Sequence, residues 1–106
     1  MVARLGEAER GEALAGLEAS GWSAVPDRDA IRKTWKFRSF SEAWGFLSQV
    51  ALAAEKLDHH PELSNFYNVV EATLSTRSCG GLSALDLKLA GRMDRIAGEA
   101  EARREA

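Results

Sequence analysis

The stretch Glu55–Arg77, EKLDHHPELSNFYNVVEATLSTR, decides how this chain folds. It finishes an apolar-periodic helix, turns, and runs on with alternating apolar and polar residues, the mark of a half-buried strand. Tyr67 to Thr76 is expected to be that strand, with Val70, Ala72 and Leu74 facing one way and Val69, Glu71, Thr73 and Ser75 the other. Its β-branched residues suit a pleated surface. Leu63 to Phe66 is a candidate partner strand. His59 and His60, the only histidines in the protein, stand side by side in the turn, directly before Pro61. Proline stops the preceding helix there.

Upstream, Ser39 and Glu42 have capping-box spacing, and Ala43, Phe46, Leu47, Val50, Ala53, Ala54 and Leu57 recur at helical intervals. Gly45 inside that pattern suggests close packing against another element. Ile31, Lys33, Trp35 and Phe37 alternate with polar residues and predict a strand, and Trp22 to Val25 predicts a short one, with a turn at Pro26–Asp29. Gly6 to Ser20 predicts a modest helix ended by Gly21. Downstream, Gly80-Gly81 ends the strand. Ser83 as N-cap, Asp86 three residues on, and the apolar pair Leu82 and Leu87 open a last helix with the stripe Leu89, Ala90, Met93, Ile96, Ala97 and Ala100. The polar tail from Glu99 to Ala106 is expected to fray.

The order helix, strand, strand, helix, one or two strands, helix predicts an α+β fold. It is one domain over residues 1–106, a four-stranded antiparallel sheet with helices packed on one face. A sheet this small has open edges, which a symmetric oligomer would cover. Net charge is −2, from 14 basic and 16 acidic residues interspersed along the chain, so neither nucleic acid nor a membrane surface is an expected partner. There is no apolar run of membrane-spanning length and no apolar core of a secretory signal. Cys79 is the only cysteine, which suits a reducing compartment, and a cytoplasmic location is expected.

Adjacent histidines in a turn admit three readings. A metal site has little support, because zinc needs three or four converging ligands and no third histidine exists. The rings could simply cap a helix and fill a turn. They could also carry general acid and base catalysis, since imidazole titrates near neutrality. Glu55 and Asp58 are then available to orient one ring. Cys79, two residues from Arg77, has weak support as a nucleophile, and Gly80-Gly81 alone does not make a phosphate loop. Trp22, Trp35 and Trp44 read as core or interface.

AEKLDHHPE, the following Tyr67-Asn68-x-Val70, Leu74-Ser75-Thr76, and CGGLS at Cys79 to Ser83 together resemble the pterin-4a-carbinolamine dehydratase family, whose members include dimerisation cofactors of a homeodomain transcription factor. Gly21-Trp22, Arg28 to Ile31, Phe37, Phe40, Gly45-Phe46 and Asp86-x-x-Leu89-Ala90 extend the likeness over roughly Leu14 to Ala97. The resemblance implies dimers or tetramers working without metal or organic cofactor. It implies dehydration of 4a-hydroxytetrahydropterin to quinonoid dihydropterin, in recycling the cofactor of aromatic amino acid hydroxylases. It also implies that His59 and His60 are catalytic, that Asp58, Pro61, Ser75, Thr76, Arg77 and Ser78 lie against the pterin, and that Glu55 orients a histidine. Two positions depart from the family pattern. Arg77 stands where a third active-site histidine is usual, and arginine cannot act as a base. Leu63 stands where an aromatic is usual. The loss of that histidine leaves a second reading open, a non-catalytic member acting as a protein-binding assembly or regulatory factor.

Overall fold

A computed structural model describes residues 2–105, with side chains as far as Glu101. Helix α1 spans Glu7–Ala19 and carries no fully buried residue. Gly21, at φ 97°, supplies the left-handed residue that follows it. Strand β1 is only Ser23–Ala24, and β2 spans Ile31–Lys36. Helix α2 covers Phe40–Leu57, strands β3 and β4 cover Glu62–Phe66 and Val69–Leu74, and helix α3 runs Ala84–Glu105. A single 3₁₀ turn, Arg77–Cys79, separates β4 from α3.

The sheet is antiparallel throughout, in the order β1-β2-β4-β3. Register places Ile31 opposite Leu74 and Trp35 opposite Val70, so their side chains share one face. With Phe37 and Ala72, that face meets Phe46 and Val50 of α2 and Leu89 and Met93 of α3 in one apolar cluster. Trp35 sits against both Trp22 and Phe46, at ring-centroid distances of 5.4 and 4.9 Å. Lys33, opposite Ala72, also points to this face. Its ammonium leaves the core to donate to Asp94 and to the Ser20 carbonyl, both at 2.6 Å. Trp22 Nε1 donates to the other Asp94 oxygen at 2.9 Å.

Both predicted caps form. Ser39 Oγ accepts from the Glu42 amide at 3.1 Å. At α3, Ser83 Oγ accepts from the Leu85 amide at 3.2 Å, while Asp86 accepts from the Ser83 amide at 2.9 Å. Two local expectations change. The strand expected over Tyr67 to Thr76 is shorter at both ends. Tyr67, at φ 51°, and Asn68 make the two-residue turn joining β3 to β4. That turn is pinned to the end of β2, where the Asn68 side chain and carbonyl pair with the Phe37 carbonyl and amide at 2.8 and 2.7 Å. Gly45 faces open space rather than a close neighbour. Within the polar segment, helical backbone runs to Glu105 and Ala100 is buried, while Ala106 lies outside the described residues. The segment's alanine, glutamate and arginine content favours helix without need of packing.

Asp29 ties the periphery together. Its carboxylate accepts from Arg4 Nε at 2.8 Å, from Arg10 Nε and Nη2 at 2.9 and 2.7 Å, and from the Leu82 amide at 3.1 Å. Its carbonyl accepts from Ser75 Oγ at 2.9 Å. Gly81 is buried against the same carboxylate, where a Cβ would collide with it. Burial pushes the Asp29 carboxyl upward, but the hydrogen bonds from Arg4, Arg10 and the Leu82 amide outweigh it and hold the pKa below the ordinary 3.8. A carboxyl depressed in the folded state takes up its proton more readily when unfolded, so its contribution is complete above the ordinary value and fades as pH falls below it. Asp29→Asn is therefore expected to cost roughly 2 kcal/mol at neutral pH by losing charge-assisted bonds. Urea unfolding checks this: the gap between the two proteins should narrow toward about pH 2 to 3, and a gap independent of pH would contradict it.

Candidate active site

Helix α2 ends in a left-handed residue, Asp58, at φ 51° and ψ 44°. The Asp58 amide donates to Glu55 O at 3.1 Å and the His59 amide to Ala54 O at 3.0 Å, the paired bonds of a Schellman turn. Aspartate tolerates this conformation better than most residues. The reversal directs His59 inward and leaves His60 outside: His59 is 7% exposed, whereas the His60 side chain is 57% exposed.

Each imidazole meets a carboxylate. His59 Nε2 lies 2.6 Å from Asp86 Oδ1, and His60 Nε2 lies 2.7 Å from Glu55 Oε1. Asp86 is wholly buried, and its other oxygen accepts from Thr76 Oγ1 at 2.7 Å and from the Ser83 amide. Since the Thr76 hydroxyl donates to Asp86, Ser83 Oγ donates to Thr76 Oγ1 across 2.6 Å. A carboxylate acceptor at Nε2 makes that nitrogen the protonated one in neutral His59, so Nδ1 carries the free lone pair. His59 is thus held in one tautomer by a carboxylate that is itself fully satisfied.

Asp58, His59, His60, Glu62, Thr76, Arg77, Ser78 and Leu85 line a cleft of about 450 Å³. Of the residues expected at the site, Asp58, both histidines, Thr76, Arg77 and Ser78 are on this lining, while Glu55, Pro61 and Ser75 are not. Glu55 stands behind His60, and Ser75 turns away to bind Asp29. Glu62 and Leu85 line the cleft without having been singled out in the sequence, and Asp86, expected only as a helix cap, proves to be the carboxylate that holds His59. Arg28 donates to both oxygens of Glu62, at 2.9 and 2.7 Å. Those bonds, against a smaller effect of burial, and the charges of Arg28, Arg77 and Arg32 hold the Glu62 carboxyl below its ordinary range.

A four-stranded α+β fold with paired histidines at the end of its central helix, backed by an aspartate from the next helix, defines a class. The family model for pterin 4 alpha carbinolamine dehydratase matches residues 3–96, and the chain belongs to that family. A Jannaschia protein described as "Putative pterin-4-alpha-carbinolamine dehydratase" is 54% identical over 97 residues, covering 92% of this chain and 99% of its own. A Dinoroseobacter shibae protein of the same description is 53% identical, covering 92% and 100%. The crystal structure of a Brucella melitensis transcriptional coactivator/pterin dehydratase superposes with a TM-score of 0.82 at 52% identity, covering 89% of this chain and 98% of that one. A pterin dehydratase-like protein identified as a RuBisCO assembly factor in the alpha-carboxysome shares the fold, with a TM-score of 0.65 at 24% identity over 74% of this chain and 90% of its own.

Removing the Asp86 carboxylate strands His59, Thr76 and the Ser83 amide, so Asp86→Ala should cost roughly 3–5 kcal/mol in chemical denaturation. Asp86→Asn keeps the shape but presents an amide N–H to His59 Nε2. The neutral ring should then shift its proton to Nδ1, visible in long-range ¹H–¹⁵N spectra of His59. An unchanged tautomer would show that Asp86 does not set it.

Proposed function

We propose that the cleft dehydrates 4a-hydroxytetrahydropterin to quinonoid dihydropterin and water, with His59 and His60 moving the protons. The observation that carries this reading is the pair of histidine–carboxylate dyads on one cleft, one dyad buried and one exposed. In the reaction the C4a–O bond breaks as its hydroxyl takes up a proton and leaves as water. The N5 proton departs, and the C4a–N5 bond becomes double. A base with a lone pair and an acid with a proton, both working near neutral pH, are required. His59, with Nδ1 free and its tautomer fixed, takes the N5 proton. His60, in contact with solvent, delivers one to the leaving hydroxyl and is recharged from water. Thr76 and Ser78 lie against the ring and Asp58 at its edge, while Arg77 donates hydrogen bonds to substrate. No metal or organic cofactor takes part. The product would be returned to a reductase step in cytoplasmic recycling of a tetrahydropterin for an aromatic amino acid hydroxylase.

The test is the dehydration rate of enzymatically generated 4a-hydroxytetrahydropterin against the spontaneous reaction. The protein should accelerate it, and His59→Ala and His60→Ala should each lose on the order of 10²-fold or more. Arg77→His should retain or raise the rate.

Arg77 in place of the family's histidine also favours a second reading, a pterin-cleft relative that serves as an assembly or regulatory factor for other proteins. Under that reading neither the protein nor Arg77→His accelerates dehydration, and a protein partner becomes the object of search.

We also propose that the chain forms a homodimer or homotetramer. The outer edge of β3 is unpaired, and beside it Trp44, Leu47, Ala51 and Leu63 line an apolar groove. Leu52 on α2 and Phe66 at the end of β3 are also exposed, at 73% and 84%. Light scattering should give two or four chain masses at micromolar concentration. Trp44→Glu should shift the mass downward, and a monomer in the unmodified protein would remove the proposal.

A further inference from the structure

Two carboxylates and one guanidinium line the cleft, and they are not equivalent. Both oxygens of Glu62 are taken by Arg28. Among the described residues, the Arg77 guanidinium makes no hydrogen bond or ion pair; its backbone carbonyl accepts from the Gly80 amide at 3.2 Å, and its charge acts on Glu62 only through space. Its side chain is exposed and follows Thr76, which is buried and fixed to Asp86. Arg77 is therefore an exposed residue of the cleft lining, while His59 is a buried one.

A guanidinium presents a planar fork of donors that matches the two oxygens of a carboxylate or phosphate, and its charge is never lost near neutral pH. The pterin ring offers no anionic oxygen, and its C4 carbonyl could accept only part of that fork. The substituent at C6 is different. It is attached to the carbon next to N5, so with the reacting edge held on the histidines it projects from that edge toward the exposed lining. We infer that Arg77 selects pterins whose C6 substituent carries an anionic oxygen group, a carboxylate or a phosphate monoester, over those with a neutral substituent. This rests on the dehydratase reading of the same cleft and adds the class of substrate.

Titration calorimetry with three ligands of one ring oxidation state tests it: 6-hydroxymethylpterin, pterin-6-carboxylate, and the phosphate monoester of 6-hydroxymethylpterin. At low salt at least one anionic ligand should bind about tenfold more tightly than the neutral one, the scale of a charge-assisted hydrogen-bond pair. Which of the two does so identifies the group. Arg77→Gln should bring the ratio close to one by weakening the anionic ligand alone, and Arg77→Lys should keep part of it. Neutral and anionic ligands binding equally to the unmodified protein would overturn the inference while leaving the dehydratase reading standing. So would a preference that survives in Arg77→Gln. If none of the three binds, the dehydratase reading and this inference fall together.

Discussion

The buried carboxylate of Asp86 is the constraint on which the site depends. A charge withdrawn fully from water is tolerated only when its oxygens are occupied, and Asp86 fills them from three separate segments. His59 comes from the turn after α2, Thr76 from the chain leaving β4, and the Ser83 amide from the start of α3. Satisfying one carboxylate therefore sets the relative placement of the helix end that carries the histidines and the segment that carries Arg77 and Ser78. The helix start reinforces the choice, since an anion in the first turn of α3 is favoured by the helix dipole. Folding and the preparation of His59 are in this sense the same event.

Asp29 holds the same segment from its other side. Residues 75–83 leave the sheet, make a 3₁₀ turn, and return through Gly80, at φ 73°, and Gly81. On one side Thr76 and Ser83 bind Asp86. On the other, Ser75 and Leu82 bind Asp29, which two arginines of the N-terminal region also hold. Helix α1 buries none of its residues completely; Ala13, Leu14 and Leu17 pack partly buried against the core, and the Arg10–Asp29 ion pair ties the helix to the same periphery. The N-terminal region thus matters to the cleft although it contributes nothing to the lining.

Features with a strong period or a cap were legible in the sequence. The stripe of α2, the aromatic face of β2 and the Ser83–Asp86 cap all stand where their spacing placed them. Glu62–Phe66 was harder to read because it is an edge strand, four of its five residues are exposed, and no alternation marks its faces. The Tyr67-Asn68 turn was hidden because it contains no glycine. Its stability comes from Asn68 binding the end of β2, a contact between residues 31 apart. Asp86 was found for half of its role. A cap explains an acid at that position so completely that spacing gives no hint of the second bond, 27 residues back to His59. Spacing offers Glu55 to either ring, and its oxygen lies 2.7 Å from His60 Nε2 rather than at His59.

The two dyads are chemically alike and physically opposite, and Arg77 sharpens the difference. The Asp86–His59 pair is buried, with a carboxylate that favours one tautomer. The Glu55–His60 pair lies in water, where its carboxylate is 77% exposed and proton exchange with solvent is unobstructed. A third histidine could have shared either duty. Arginine cannot, because its charge is fixed across the whole range in which imidazole titrates. The two imidazoles of this cleft therefore differ in burial and in contact with water, while Arg77 adds a charge that stays fixed where theirs can change.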